Sequence, residues 1–159
     1  MGVEILAYPT NQFHNGEPDP IEKVVANLRN NMNIEFPIMD KIEINGPNTC
    51  EVYKFLRLNS ELYDEKQKRA KEIPWNFAKF LVNANTGQVI KYFNPRVNPV
   101  NMVSDIEQCL AEMWGNYDLE GTQNSSHVQF RASNVKPGVK ITRHVGRIYM
   151  TRSVMTWME

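Results

Sequence analysis

Between Val3 and Tyr8 every residue except Glu4 is apolar. A strand with one face in water alternates polar and apolar positions, so this run signals a strand covered on both faces. Cover on both faces requires helices above and below a sheet, which directs the chain to an α/β fold. The strand opens at the third residue with no lead-in, so a further element of the same sheet is expected upstream.

The remaining segments supply the helices. His14-Asn15-Gly16-Glu17-Pro18 is a polar turn, and Asp19-Pro20-Ile21-Glu22 then reads as an N-cap, a first-turn proline and an early carboxylate. Ile21, Val24, Val25, Leu28 and Met32 follow at helical spacing. Asn45-Gly46-Pro47 is a turn, and a second helix is expected from about Asn48 to Leu58, with Val52, Phe55 and Leu56 inward. The charge-dense residues 61–72 read as a solvated loop or helix face. Phe77–Val82 and Gln88–Phe93, joined by Asn83-Ala84-Asn85-Thr86-Gly87, predict a hairpin. A last helix starts at Asn98-Pro99, with Met102, Val103, Ile106, Leu110 and Met113 towards the core.

Character changes after Gly115. Residues 116–159 carry six basic groups against three acidic ones, residues 121–126 have linker composition, and only Ile141–Met150 looks strand-like. The chain therefore divides into a domain over 1–115 and a basic, loosely structured extension over 116–159. A length of 159 residues suits one domain with a sizeable core. The formal net charge is zero, which argues against a nucleic-acid or membrane-surface binder. Two cysteines, Cys50 and Cys109, are too few for a disulfide scaffold, and no apolar run reaches the roughly 20 residues of a membrane span. A cytoplasmic protein is expected. Asn124-Ser125-Ser126 fits the glycosylation pattern but is read as chance, and His14 is assigned no role.

Two short motifs carry the chemistry. Tyr8-Pro9-Thr10-Asn11-Gln12-Phe13 follows the first strand, and Trp75-Asn76-Phe77 precedes the hairpin. Together they offer two side-chain amides and an indole N–H, neutral donors suited to stabilising an anion. Leu6-Ala7-Tyr8-Pro9-Thr10-Asn11-Gln12-Phe13 resembles the glutathione peroxidase signature L-A-F-P-C-N-Q-F. Phe36-Pro37-Ile38-Met39, Lys41-Ile42-Glu43-Ile44-Asn45-Gly46, Tyr53-Lys54-Phe55-Leu56 and Trp75-Asn76-Phe77-Ala78-Lys79-Phe80-Leu81 are similar to later blocks of that family, in order. The resemblance covers residues 3–112. The order of strand, helix, insert, hairpin and closing helix is that of the C-terminal part of a thioredoxin-type sheet. The expected fold is thus α/β and thioredoxin-like, lacking the first (central) strand and helix, plus an irregular C-terminal extension.

The resemblance implies a thiol-dependent peroxidase that reduces hydrogen peroxide and organic or lipid hydroperoxides under oxidative stress. In that family a cysteine or selenocysteine anion attacks the O–O bond and thiols restore it. Its supporting residues map to Gln12, Trp75 and Asn76, whose N–H groups would donate to the reacting anion. No resident cofactor or metal is implied; glutathione or thioredoxin serves as the reducing co-substrate. The short segment between Leu56 and Trp75 points to the small, monomeric, phospholipid-hydroperoxide-like branch. The family's nucleophile lies in a loop ahead of the block that begins at Val3, and no counterpart of that loop is found. Neither Cys50 nor Cys109 replaces it, so this exact chain is expected to have low or no activity. The competing reading is a non-catalytic thioredoxin-like binding or scaffold protein.

Overall fold

A computed structural model describes residues 2–115 and 147–152, the latter by their backbone. Ten elements follow one another along the described residues. They are β1 (Gly2–Ala7), α1 (Ile21–Met32), α2 (Glu51–Leu58), β2 (Tyr63–Asp64), β3 (Arg69–Ala70), β4 (Lys79–Asn83), β5 (Val89–Phe93), a 3-10 turn (Pro99–Met102), α3 (Val103–Gly115) and β6 (Arg147–Arg152). Four strands form one mixed sheet in the order β1-β6-β4-β5. β6 runs parallel to β1 and antiparallel to β4, and β5 closes the hairpin on the far side.

The period of the strands decides which helix covers which face. Leu81, Phe93, Met102 and Cys109 form one buried cluster, which seats α3 on one face of the β4/β5 hairpin. Neighbouring Phe80 points the other way, into a cluster with Tyr8, Ile44, Tyr53, Leu56 and Ile73, which seats α2 there. At β1 the same alternation sends Leu6 to the α2 cluster and Ala7 to Val24 and Leu28 of α1. Both faces are covered, as the apolar run at Val3–Tyr8 requires.

Several local expectations shift by up to three residues. α1 begins at Ile21 with Pro20 in the cap position and no side-chain cap, because Asp19 pairs instead with Lys23 at 2.9 Å. α2 starts at Glu51, with Cys50 as its cap residue, three positions later than the expected Asn48. Of the three residues expected inward on α2, Leu56 is buried but Val52 and Phe55 are 42% and 39% exposed. Residues 61–72 are not a plain solvated loop: β2 and β3 pair antiparallel through Tyr63↔Ala70 and Asp64↔Arg69. Asp64 makes that tight turn by accepting from the backbone N–H of Lys66 (2.9 Å) and Gln67 (3.1 Å), with Lys68 left-handed at φ 50°. The strand-like stretch expected at Ile141–Met150 overlaps β6 from residue 147; the linker composition at 121–126 lies outside the described residues. From the sequence the sheet is expected to lack its central strand; among the described residues β6 holds the position between β1 and β4.

Among the described residues, no helix is long and apolar enough to cross a membrane. Two phenols couple this core to pH. Burial, and after it the Cys50 thiol, pushes the Tyr8 phenol above its usual value; burial and then Glu61 do the same for Tyr92. A group that holds its proton more tightly when folded stabilises the fold until pH passes its unfolded value. Chemical denaturation is therefore expected to show stability falling as pH rises above about 10. Stability that is flat between pH 9 and 11 would contradict this.

Candidate active site

The first motif leaves the end of β1 and turns over at once. Thr10 is 2% exposed, and its hydroxyl accepts weakly from the Gln12 N–H at 3.4 Å. Asn11 accepts the Glu17 N–H at 3.0 Å and also hydrogen-bonds Asn15. His14 and Asn15 take left-handed backbone at φ 52° and 54°, which completes the reversal. Residues 37–45 run beside this turn. Ala7 donates to the Pro37 carbonyl (2.9 Å) and accepts from Met39 (2.8 Å), and Ile42 donates to the Pro9 carbonyl (3.0 Å).

That neighbouring segment captures Gln12. The Gln12 Oε1 accepts from the backbone N–H of Ile44 (2.7 Å) and Asn45 (2.9 Å). Its Nε2 donates to the Asn45 carbonyl at 2.9 Å and reaches Glu43 Oε2 at 3.5 Å. The second contact is at the outer limit of a hydrogen bond, so that amide hydrogen is the more weakly held of the two.

Asn45 faces both ways. Its main chain holds Gln12, while its side chain donates to the Ile73 carbonyl (2.8 Å) and accepts the Ile73 N–H (2.9 Å). Ile73 lies two residues before Trp75, so Asn45 ties the two motifs into one unit. Gly46 follows at φ 81°, a left-handed turn that glycine adopts without strain. Beneath it, Arg57 of α2 is 9% exposed and donates to three carbonyls: Ile44 (3.0 Å), Lys71 (3.1 Å) and Ala70 (3.2 Å).

The second motif splits between surface and core. Trp75 is 41% exposed and packs against Phe13 and His14, with ring centroids 5.5 and 5.1 Å away. Asn76, beside it, is 1% exposed. Phe77 takes left-handed backbone at φ 65°, an outlier for a bulky residue, between buried Asn76 and β4. Phe77 also lines a shallow cavity of about 240 Å³ with Lys79 and residues 95–99; Gln12, Trp75 and Asn76 do not line it.

The structure thus joins the Gln12 and Trp75 segments through Asn45 and through the Phe13–Trp75–His14 stack. Sequence reasoning read Asn45 as part of a turn, assigned His14 no role and did not single out Arg57. No local signal marks them, since their partners lie 13 to 61 positions away in the chain. Among the described residues no group of three or more His, Cys, Asp or Glu side chains could hold a metal.

The two thiols differ in setting. Cys109 is 7% exposed in the α3 cluster, and burial, followed by Glu112 and Asp105, pushes its thiol above the usual value against the opposing pull of Lys91. Cys50 is half-buried at the start of α2. A maleimide reagent at neutral pH is expected to modify Cys50 in the folded chain and Cys109 only after denaturation. Equal labelling rates would contradict the burial of Cys109.

Comparison with known proteins adds kinship to this geometry. A glutathione peroxidase family model matches residues 1–57. A probable glutathione peroxidase 2 of Arabidopsis thaliana is 38% identical over 114 residues, covering 70% of this chain and 63% of the relative. A probable mitochondrial glutathione peroxidase 3 of the same plant is 41% identical over 112 residues, covering 70% and 51%. A probable phospholipid hydroperoxide glutathione peroxidase of Nicotiana tabacum is 38% identical over 110 residues, covering 69% and 62%. The chain therefore spans between about half and just under two thirds of these relatives' lengths.

Proposed function

We propose that this chain, which is similar to glutathione peroxidases over about 110 residues, is part of a thiol-dependent peroxidase of that family acting on hydrogen peroxide and organic or lipid hydroperoxides. The observation that carries this reading is the bridge through Asn45, which holds the Gln12 and Trp75–Asn76 segments as one unit. In this role Gln12, Trp75 and Asn76 supply neutral donors to the anion of the reacting sulfur or selenium, favouring its charged form without adding charge. The weakly held amide hydrogen of Gln12 and the exposed surface of Trp75 suit that task.

The overall reaction is a two-electron reduction. Two thiols give up two electrons and two protons; the hydroperoxide becomes an alcohol and water, and the thiols become a disulfide. Glutathione or thioredoxin is the reductant, and no resident metal or prosthetic group is required. The protein acts as a cytosolic monomer of the phospholipid-hydroperoxide-like branch. Neither Cys50 nor Cys109 is the nucleophile, since Cys109 is buried among apolar side chains and Cys50 packs against the α2 core cluster.

The test follows hydroperoxide-dependent oxidation of glutathione and of thioredoxin. The natural protein isolated from its source is expected to turn over; no hydroperoxide-dependent thiol oxidation with either reductant would overturn the reading. The 159-residue chain and its Cys50→Ser/Cys109→Ser variant are expected to share the same low rate. A rate that disappears with Cys50→Ser would assign the nucleophile to Cys50 instead.

A further inference from the structure

β6 is the last of the described elements and lies within the sheet, between β1 and β4. Its six residues pair without interruption along β1, from Gly2↔Arg147 to Ala7↔Arg152. On its other edge five consecutive residues pair with β4, from Asn83↔Ile148 to Lys79↔Arg152. Among the described residues, β6 is the one strand joining the β1 side of the sheet to the β4/β5 hairpin. On its outer side β1 meets residues 37–39 at its last residue, through the bridge Ala7↔Ile38, and the outer side of β4 is taken by β5. Removing β6 would leave the inner edges of β1 and β4 facing a strand-wide gap with unpaired donors and acceptors.

We propose that the interval between β1 and β4 is a strand-acceptor site, specific for an extended six-residue segment running parallel to β1, and that residues 147–152 of the same chain occupy it. Recognition in such a site comes mainly from the backbone ladder, so direction and length select the occupant before side chains do. Residues 116–146 link α3 to β6 covalently, and the entropic cost of bringing two points of one chain together grows only slowly with their separation. Tethering gives this occupant a high effective concentration over any free strand. A competing extended segment must displace β6 to enter, so the two states of the site exclude one another. This pairing is independent of the chemistry at Gln12 and stands whether or not the protein reduces a peroxide.

The test places cysteines at a directly paired position, Asn83→Cys with Ile148→Cys, in a Cys50→Ser/Cys109→Ser background of the full chain. Directly opposed antiparallel residues have Cα atoms about 4.5–5.5 Å apart, inside the range a disulfide spans. Mild oxidation is expected to give an intramolecular disulfide in a monomer, and adding Met150→Pro, which removes a ladder N–H, is expected to abolish it. Covalent dimers would assign the site to a second copy's strand. No disulfide in a chain whose circular dichroism matches the parent would overturn the pairing. Hydrogen exchange of the unmodified chain gives an independent reading. Amides of 148–151 are expected to exchange within about tenfold of those of Phe80–Val82. Exchange of 148–151 at the rate of unstructured peptide, with β4 still protected, overturns the proposal.

Discussion

Arg57→Met is expected to lower the unfolding free energy by about 3 kcal/mol, measured by chemical denaturation. The guanidinium is buried and serves three carbonyls from two segments, those of Ile44, Ala70 and Lys71. Methionine keeps much of the apolar stem but supplies no donor, so three acceptors lose their partner at once. Hydrogen bonds to a charged group contribute about 1.5–3 kcal/mol, and an orphaned buried acceptor costs about 1–3 kcal/mol. Burial lowers the guanidinium pKa, with Glu72 opposing, yet arginine stays protonated at any working pH, so the loss should not depend on pH between 6 and 8. The substitution also reaches the site. The Ile44 carbonyl that binds Arg57 belongs to the residue whose N–H binds Gln12, so loosening one loosens the other. A loss under 1 kcal/mol would show that water replaces the guanidinium at little cost.

Phe80→Ala is expected to cost about 3–5 kcal/mol, enough to threaten a domain of ordinary stability. Phe80 is fully buried in β4 and lies at the centre of an aromatic run. Tyr53 meets it edge-on at 6.0 Å, Tyr92 lies 5.1 Å away, and Tyr8 meets Tyr53 edge-on at 5.6 Å. Truncation opens a cavity whose walls come from α2, β5 and the turn after β1, elements that cannot all collapse inward together. Phe80→Leu keeps most of the volume and should cost less than about 1.5 kcal/mol. A double-mutant cycle with Tyr53→Leu should return a coupling of about 0.5–1.5 kcal/mol for the edge-on pair. Additive losses would remove the special contribution of ring geometry and leave burial alone.

These two residues also show where sequence reasoning reaches and where it stops. The strand that carries Phe80 was legible, because an apolar run beside a turn-rich segment marks a strand by local pattern. Arg57 was not: a basic residue in the last turn of a helix is ordinary, and nothing nearby indicates that it turns inward to distant carbonyls. The same division runs through the site. The pairing of an amide motif after one strand with a Trp-Asn motif before another was visible as residue types. Their connection through Asn45 was not, since an Asn-Gly pair reads equally well as a plain turn. His14 shows the same limit, solvated by composition yet stacked on Trp75 in space.

The sequence by itself determined the α/β class, the α1 helix, the β4/β5 hairpin, and the residues offered as donors. Each depends on periodicity and turn chemistry within a dozen residues, which side-chain type encodes directly. Only the tertiary structure decided that Gln12 is held by residues 43–45, that Asn45 spans to Ile73, and that β6 lies between β1 and β4. Those arrangements are made largely by main-chain donors and acceptors, which every residue carries alike. Such contacts leave little trace in residue identity, and they set the geometry of the site.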